Sequence, residues 1–112
     1  MTEISDPFRP PAARVFRATV HGVAFGGRAA LLGRVRDGDR LLLVPDPPVQ
    51  PAPQVWVHLQ SGEPLGHLPD EIGEWLAPWM LRGGRAEVMA LRVGPWSVPS
   101  WRRLVVEVDC RD

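Results

Sequence analysis

Thirteen prolines and eleven glycines are scattered through the 112 residues of this chain, and they cut it into segments too short for a helical bundle. Proline lacks the backbone donor that a helix interior or a central strand requires, so each one marks an end, an edge or a loop. The densest group is Pro45, Pro47, Pro48, Pro51 and Pro53, and it predicts an extended surface loop over residues 45–53. Such a segment can also serve as a polyproline ligand for an aromatic groove, although a stiff loop is the commoner outcome.

Between these breaks the hydrophobic periodicity is that of strands, with one helix. Residues 15–23 alternate imperfectly among β-favouring types and predict a half-buried strand ending before Gly26 and Gly27. Residues 29–34 have room for a single helical turn, and Asp37, Gly38 and Asp39 form a strong turn signal. The run Leu41, Leu42, Leu43 and Val44 reads as a strand buried on both faces. Residues 55–59 and 63–67 flank Gln60, Ser61 and Gly62 as a β-hairpin. A helix follows, opened by Pro69 or Asp70 and closed by Gly83 and Gly84; Ile72, Trp75, Leu76, Trp79 and Met80 share its apolar face, and Pro78 is expected to loosen it. Residues 85–93 and 104–108 complete the strands, with Trp96 and Trp101 in the loop between them. Six strands with one substantial helix and a short helical turn favour a mainly β fold, a small barrel formed by residues 13–112. Residues 1–12, with Pro7, Pro10 and Pro11, read as a flexible or extended N-terminal arm.

With 45% apolar and 23% charged residues the chain is globular and not intrinsically disordered. No apolar run approaches the ~20 residues that span a bilayer, so no membrane partner is expected. The first eight residues include Glu3 and Asp6 and have no basic start followed by an apolar segment, which sets a cytoplasmic expectation. The lone Cys110 excludes an internal disulfide or a paired-cysteine zinc knuckle and reads as a small residue ending a strand. Thirteen basic and thirteen acidic groups cancel. All thirteen cations are arginine, and the chain has no Lys, Asn or Tyr, a pattern that coding bias in a GC-rich genome explains. Contact with nucleic acid must therefore rest on a local patch and not on a general basic field.

No hydrolase elbow, zinc-protease helix, P-loop or dinucleotide fingerprint is present, so the chain is not expected to be an enzyme. His21, His58 and His67 are too far apart in sequence to form a local ligand pair, and no metal or other cofactor is expected. Asp70, Glu71 and Glu74 are explained as charges in the first turn of a helix, and Asp37 and Asp39 as turn formers. Trp75 and Trp79 belong to the helix's core face. Trp56 must take the face opposite Val55 and Val57. Aromatic rings on a barrel face or rim are the means by which single-stranded nucleic acid is gripped; capping the barrel ends is the competing role.

The order of segments carries a further signal. Val20-His21-Gly22-Val23-Ala24-Phe25, then Gly38-Asp39-Arg40-Leu41-Leu42-Leu43, then Asp46-Pro47, then Gly62-Glu63-Pro64-Leu65-Gly66-His67-Leu68-Pro69, then Glu71-Ile72-Gly73-Glu74-Trp75-Leu76-Ala77-Pro78 resembles the HIRAN domain across residues 14–109. The hairpin end that runs through Leu65-Gly66-His67-Leu68-Pro69 into the helix is its most specific piece. The resemblance implies a modified OB-like barrel. It also implies a non-catalytic module that binds single-stranded DNA or 3′ DNA ends in repair or processing, since such domains occur fused to SNF2-type ATPases and as stand-alone bacterial proteins.

Carried over residue by residue, the resemblance implies DNA contacts at Phe25, in the loop after the first strand, and at His67. Arg28 would reach phosphate, and Trp96 stands for an aromatic before the last strand. Ala24 and Gly26 replace an arginine and a second aromatic of the family pattern. Val49 and Ala52 replace an asparagine and an aspartate that would bond the terminal nucleotide, leaving Gln54 as the amide near that place. Each lost hydrogen bond weakens recognition by ~1–3 kcal/mol. These replacements support an alternative, a degenerate domain that binds a protein partner, such as a repair ATPase or nuclease in a repair or defence complex.

Overall fold

The computed structural model describes residues 13–47 and 51–111. The expected arm over residues 1–12, and Val49 in the proline loop, lie outside them. The described chain runs β1 (Ala13–Thr19), α1 (Arg28–Leu32), β2 (Arg40–Pro45), β3 (Val55–His58), β4 (Pro64–His67), α2 (Asp70–Leu81), β5 (Arg85–Val93), α3 (Ser100–Arg103) and β6 (Leu104–Arg111). The strands form one antiparallel sheet in the order β1-β6-β5-β2-β3-β4, a curled half-barrel.

Period-two alternation builds its inner face. β6 turns Leu104, Val106, Val108 and Cys110 inward. Phe16, Val108 and Val88 line up across three strands as one buried row, and Ala18, Val106 and Ala90 as the next. α2 closes over the opening of the curl, burying Ile72, Leu76, Ala77 and Trp79, and it packs against β2 and β3. A Cβ on Gly73 would stand 2.8 Å from the Pro53 carbonyl oxygen and 3.1 Å from the Gln54 Cα. The helix therefore rests directly on the chain leading into β3.

Three expectations change. β2 alternates instead of being buried on both faces: Leu41 is buried, but Leu42 and Val44 are 39% and 37% exposed. The reason is that β2 has the core on one side only, so an apolar run does not by itself bury both faces. The first strand stops at Thr19 and not at Val23, because the backbone turns at Gly22 with φ +77°. Trp101 lies in the short helix α3, which the periodicity did not reveal.

One contact joins the two edges of the sheet. Just beyond β1, His21 N–H donates to the His67 carbonyl at 2.8 Å and His67 N–H donates to the His21 carbonyl at 3.0 Å. The approach leaves no room for a side chain at Gly66, whose Cβ would fall inside the His21 carbonyl oxygen and 2.8 Å from Val20 Cγ1. Gly66→Ala is expected to lower stability by about 3 kcal/mol, the upper part of the overpacking range, read as a fall in the urea midpoint.

Cys110 is fully buried on β6, and burial pushes its thiol up to about 12 from an ordinary value of 9.0. The folded state thus favours the neutral thiol. Its contribution to stability is complete below pH 9 and is lost as pH rises towards 12. The native protein is expected to resist thiolate-directed reagents at pH 8 and to react stoichiometrically once denatured, as a thiol titration with and without urea would show.

Candidate nucleic-acid interface

Val55 and Val57 face the core, so Trp56 between them faces outward. Its partners across the sheet are Val44 on β2 and His67 on β4, which makes an outward row of one aliphatic and two aromatic side chains. The His67 ring meets the indole edge-on, with centroids 5.4 Å apart and planes at 70°. His67 Nδ1 lies 2.9 Å from the Leu68 carbonyl oxygen. That oxygen can only accept, so Nδ1 holds the proton, and in the neutral ring Nε2 keeps a lone pair.

Arg28, at the start of α1, lies across this row with its guanidinium carbon 5.2 Å from the Trp56 ring centroid. Its Nη1 donates to the Gly22 carbonyl at 3.1 Å. The φ of +77° at Gly22 favours glycine, and a Cβ there would press on Arg28 Nη1 at 3.2 Å. The same turn, held by Phe25 N–H to Gly22 O and Arg28 N–H to Phe25 O, presents the Phe25 ring to solvent with 70% of the residue exposed. His21 completes the rim. Its ring centroid is 6.0 Å from that of His67, and its Nε2 lies 3.3 Å from Thr19 Oγ1.

The lower rim is acidic but committed. Asp46 accepts the Trp56 indole N–H at Oδ1 and the Gln54 backbone N–H at Oδ2, both at 3.0 Å. Asp46 N–H in turn donates to the Gln54 carbonyl at 2.8 Å. The proline loop therefore leaves and rejoins the fold through one paired doorway. Gln54 Nε2 donates to Asp70 Oδ1 at 3.1 Å, which leaves its amide oxygen as the group it can offer outward. Trp96 stands apart. It is 70% exposed in the loop between β5 and α3, stacked against Arg103 at 4.6 Å, and no ring contact or hydrogen bond joins it to the Trp56 row among the described residues.

The fold thus brings Phe25, Arg28, Gln54 and His67 to one rim and leaves Trp96 on a neighbouring loop. Two further residues, Trp56 and His21, join them. Trp56 was readable as outward-facing from the valines on either side of it, but its role as the platform under Arg28 was not. His21 and His67 are 46 positions apart, and only the edge-to-edge bridge places them side by side. Chemically, the rim offers a free phenyl ring, a guanidinium with one of its five N–H donors engaged, and an imidazole nitrogen. Those groups suit a planar heterocycle attached to an anion.

No family model matches the sequence. No curated protein matches it either. Two solved structures match it in fold. A protein from Lactobacillus plantarum superposes with a TM-score of 0.70 at 19% identity, covering 90% of this chain and 98% of that one. The HIRAN domain of human HLTF superposes with a TM-score of 0.57 at 18% identity, covering 86% of this chain and 72% of that one. The curled six-stranded sheet, closed beside its outward row by a single bridge, has the HIRAN-like fold.

Proposed function

We propose that this chain is a nucleic-acid-binding module whose ligand is single-stranded DNA, including its 3′ ends. The observation that supports this reading is the clustering of Arg28, Trp56 and His67 on the outer face of β3 and β4, beside the exposed Phe25 ring. Phe25 stacks on a base. Arg28, held over Trp56 and anchored to the Gly22 carbonyl, directs its remaining donors to phosphate. His67 Nε2 and the Gln54 amide oxygen accept from base or sugar donors. The activity proposed is binding, without a catalytic step.

Recognition of the terminal nucleotide is the weaker part of the function. Ala52, in the loop after Asp46, is exposed and apolar where the family pattern supplies a polar group. Stacking and charge are therefore expected to dominate over contacts that distinguish a free 3′ hydroxyl from a blocked one.

Anisotropy titration of a 5′-labelled single-stranded oligothymidylate tests the reading. Phe25→Ala is expected to weaken binding by ~1–3 kcal/mol, about 5- to 150-fold. Arg28→Ala is expected to make the slope of log K against log salt less negative by about 0.7, one phosphate contact on a single strand. A 3′-phosphorylated oligonucleotide is expected to bind within about tenfold of the free end, a difference of ~1.4 kcal/mol. Binding by the wild type that ignores salt, or that Phe25→Ala leaves unchanged, would remove this surface as the site.

A further inference from the structure

A second cationic surface lies just beyond the rim, where the loop of residues 94–99 folds over the ends of β1, β5 and β6. It is an open groove of about 430 Å³ whose walls include Thr19, Arg92, Pro95, Val98, Arg102 and Val105. No Asp or Glu lines it. Its floor follows from register: Thr19 pairs with Val105, and Val105 with Arg92, so these three side chains form one outward row across β1, β6 and β5.

The arginines here keep their charge, as Arg17, Arg36, Arg82 and Arg85 also do, but here they stand together with no carboxylate in the wall. Arg34, Arg40 and Arg111 are each neutralised by a carboxylate, from Glu63, Glu87 and Asp109. Arg92, Arg102 and the neighbouring Arg103 take part in no ion pair among the described residues. Arg102 stacks on Trp101 at 5.7 Å, which leaves the donors along its edge available. Arg103 is only 8% exposed and lies beneath the loop. Its Nη2 donates to the Val98 carbonyl at 2.8 Å and to the Trp96 carbonyl at 3.4 Å, while its Nε has no partner. A buried guanidinium with carbonyl oxygens and an indole face in place of a carboxylate is a retained positive charge. It adds to the field of the two exposed arginines above it.

We infer that this groove binds the phosphodiester backbone of the strand whose base sits at the Phe25 rim, as a separate contact reached only by ligands longer than a dinucleotide. The inference rests on the nucleic-acid reading given above. The two places are continuous through three residues: Thr19 lines the groove, its hydroxyl contacts the His21 ring, and His21 is joined to His67. Arg92 and Arg102 are both exposed and support no buried group, so replacing them leaves the fold intact.

The test compares wild-type protein with the Arg92→Gln/Arg102→Gln double variant, each confirmed folded by its melting temperature, against a labelled dinucleotide and a longer oligothymidylate. The expected result is a variant that binds the dinucleotide like the wild type. For the longer strand, it is expected to bind about tenfold more weakly at low salt, with a salt slope less negative by about 1.4, two phosphate contacts at ~0.7 each. Arg34→Gln, which removes an ion-paired cation elsewhere, is expected to change neither. An unchanged slope for the longer strand, with wild-type binding intact, overturns the groove and leaves the rim site standing. Equal weakening of both ligands also overturns it, since the groove would then not be a separate contact. Failure of the wild type to bind either oligonucleotide removes the nucleic-acid reading and the groove with it.

Discussion

The reciprocal pair of backbone hydrogen bonds between His21 and His67 is the contact on which the rest of this molecule depends. An open six-stranded sheet of this curvature leaves two free edges, β1 and β4, each with unpaired donors and acceptors. A single pair of bonds satisfies them where they converge. Its length is set by Gly66, because no other residue lets the two backbones come so close. Closure also fixes chemistry: the two residues that close the edge also carry the imidazoles of the rim. Fold and site therefore cannot be varied independently here. A change that widens the seam separates the His21 ring from the His67 ring and parts β1 from the outward row on β3 and β4.

Around that seam the side chains are ordered by mutual restraint more than by burial. Trp56 is fixed from three directions, by Asp46 at its indole nitrogen, by His67 at its edge and by Arg28 over its face. Asp46 also holds the two ends of the proline loop together. Thus a carboxylate that would oppose an anionic ligand has both oxygens occupied by N–H donors, and its field is partly offset locally. Phe25 is the exception. Its backbone is held in the turn while its ring is left to solvent, which is the arrangement expected of a stacking surface awaiting a partner.

Much of this was legible from residue order, and the limits have physical causes. The hairpin about Gln60–Gly62, the helix after Pro69 and the two long strands flanking the Trp96 loop follow from period and punctuation, which are local. The outward face of Trp56 followed from its two valine neighbours. What could not be read was whatever depends on long-range pairing. The run at residues 41–44 is apolar throughout, and its alternation appears only because β2 has one side against the core and the other open. α3 is four residues long, too short for a hydrophobic period to register. The meeting of His21 with His67 requires knowing which edges close. The role of Asp46 requires knowing that the proline loop returns to its own starting point.

Zero net charge proves a poor guide to what this surface can bind, because the thirteen arginines differ in their partners. Four of the five tryptophans carry a guanidinium against the ring: Trp75 with Arg14, Trp56 with Arg28, Trp101 with Arg102 and Trp96 with Arg103. The fifth, Trp79, is buried in the core. An ion pair cancels a cation, whereas a stacked indole only orients it. Stacking contributes ~0.5–1 kcal/mol at an exposed site and leaves the charge and the edge donors in place. A chain with no lysine is suited to this, since a planar guanidinium can lie on a ring and still offer hydrogen bonds in its own plane. The acids that balance the sum are largely engaged elsewhere, in helix starts, turns and three surface ion pairs. The charges of Arg28 and Arg102 are therefore left uncancelled where each lies on an indole, and Arg103 keeps its charge beneath the loop, even though the chain as a whole is neutral.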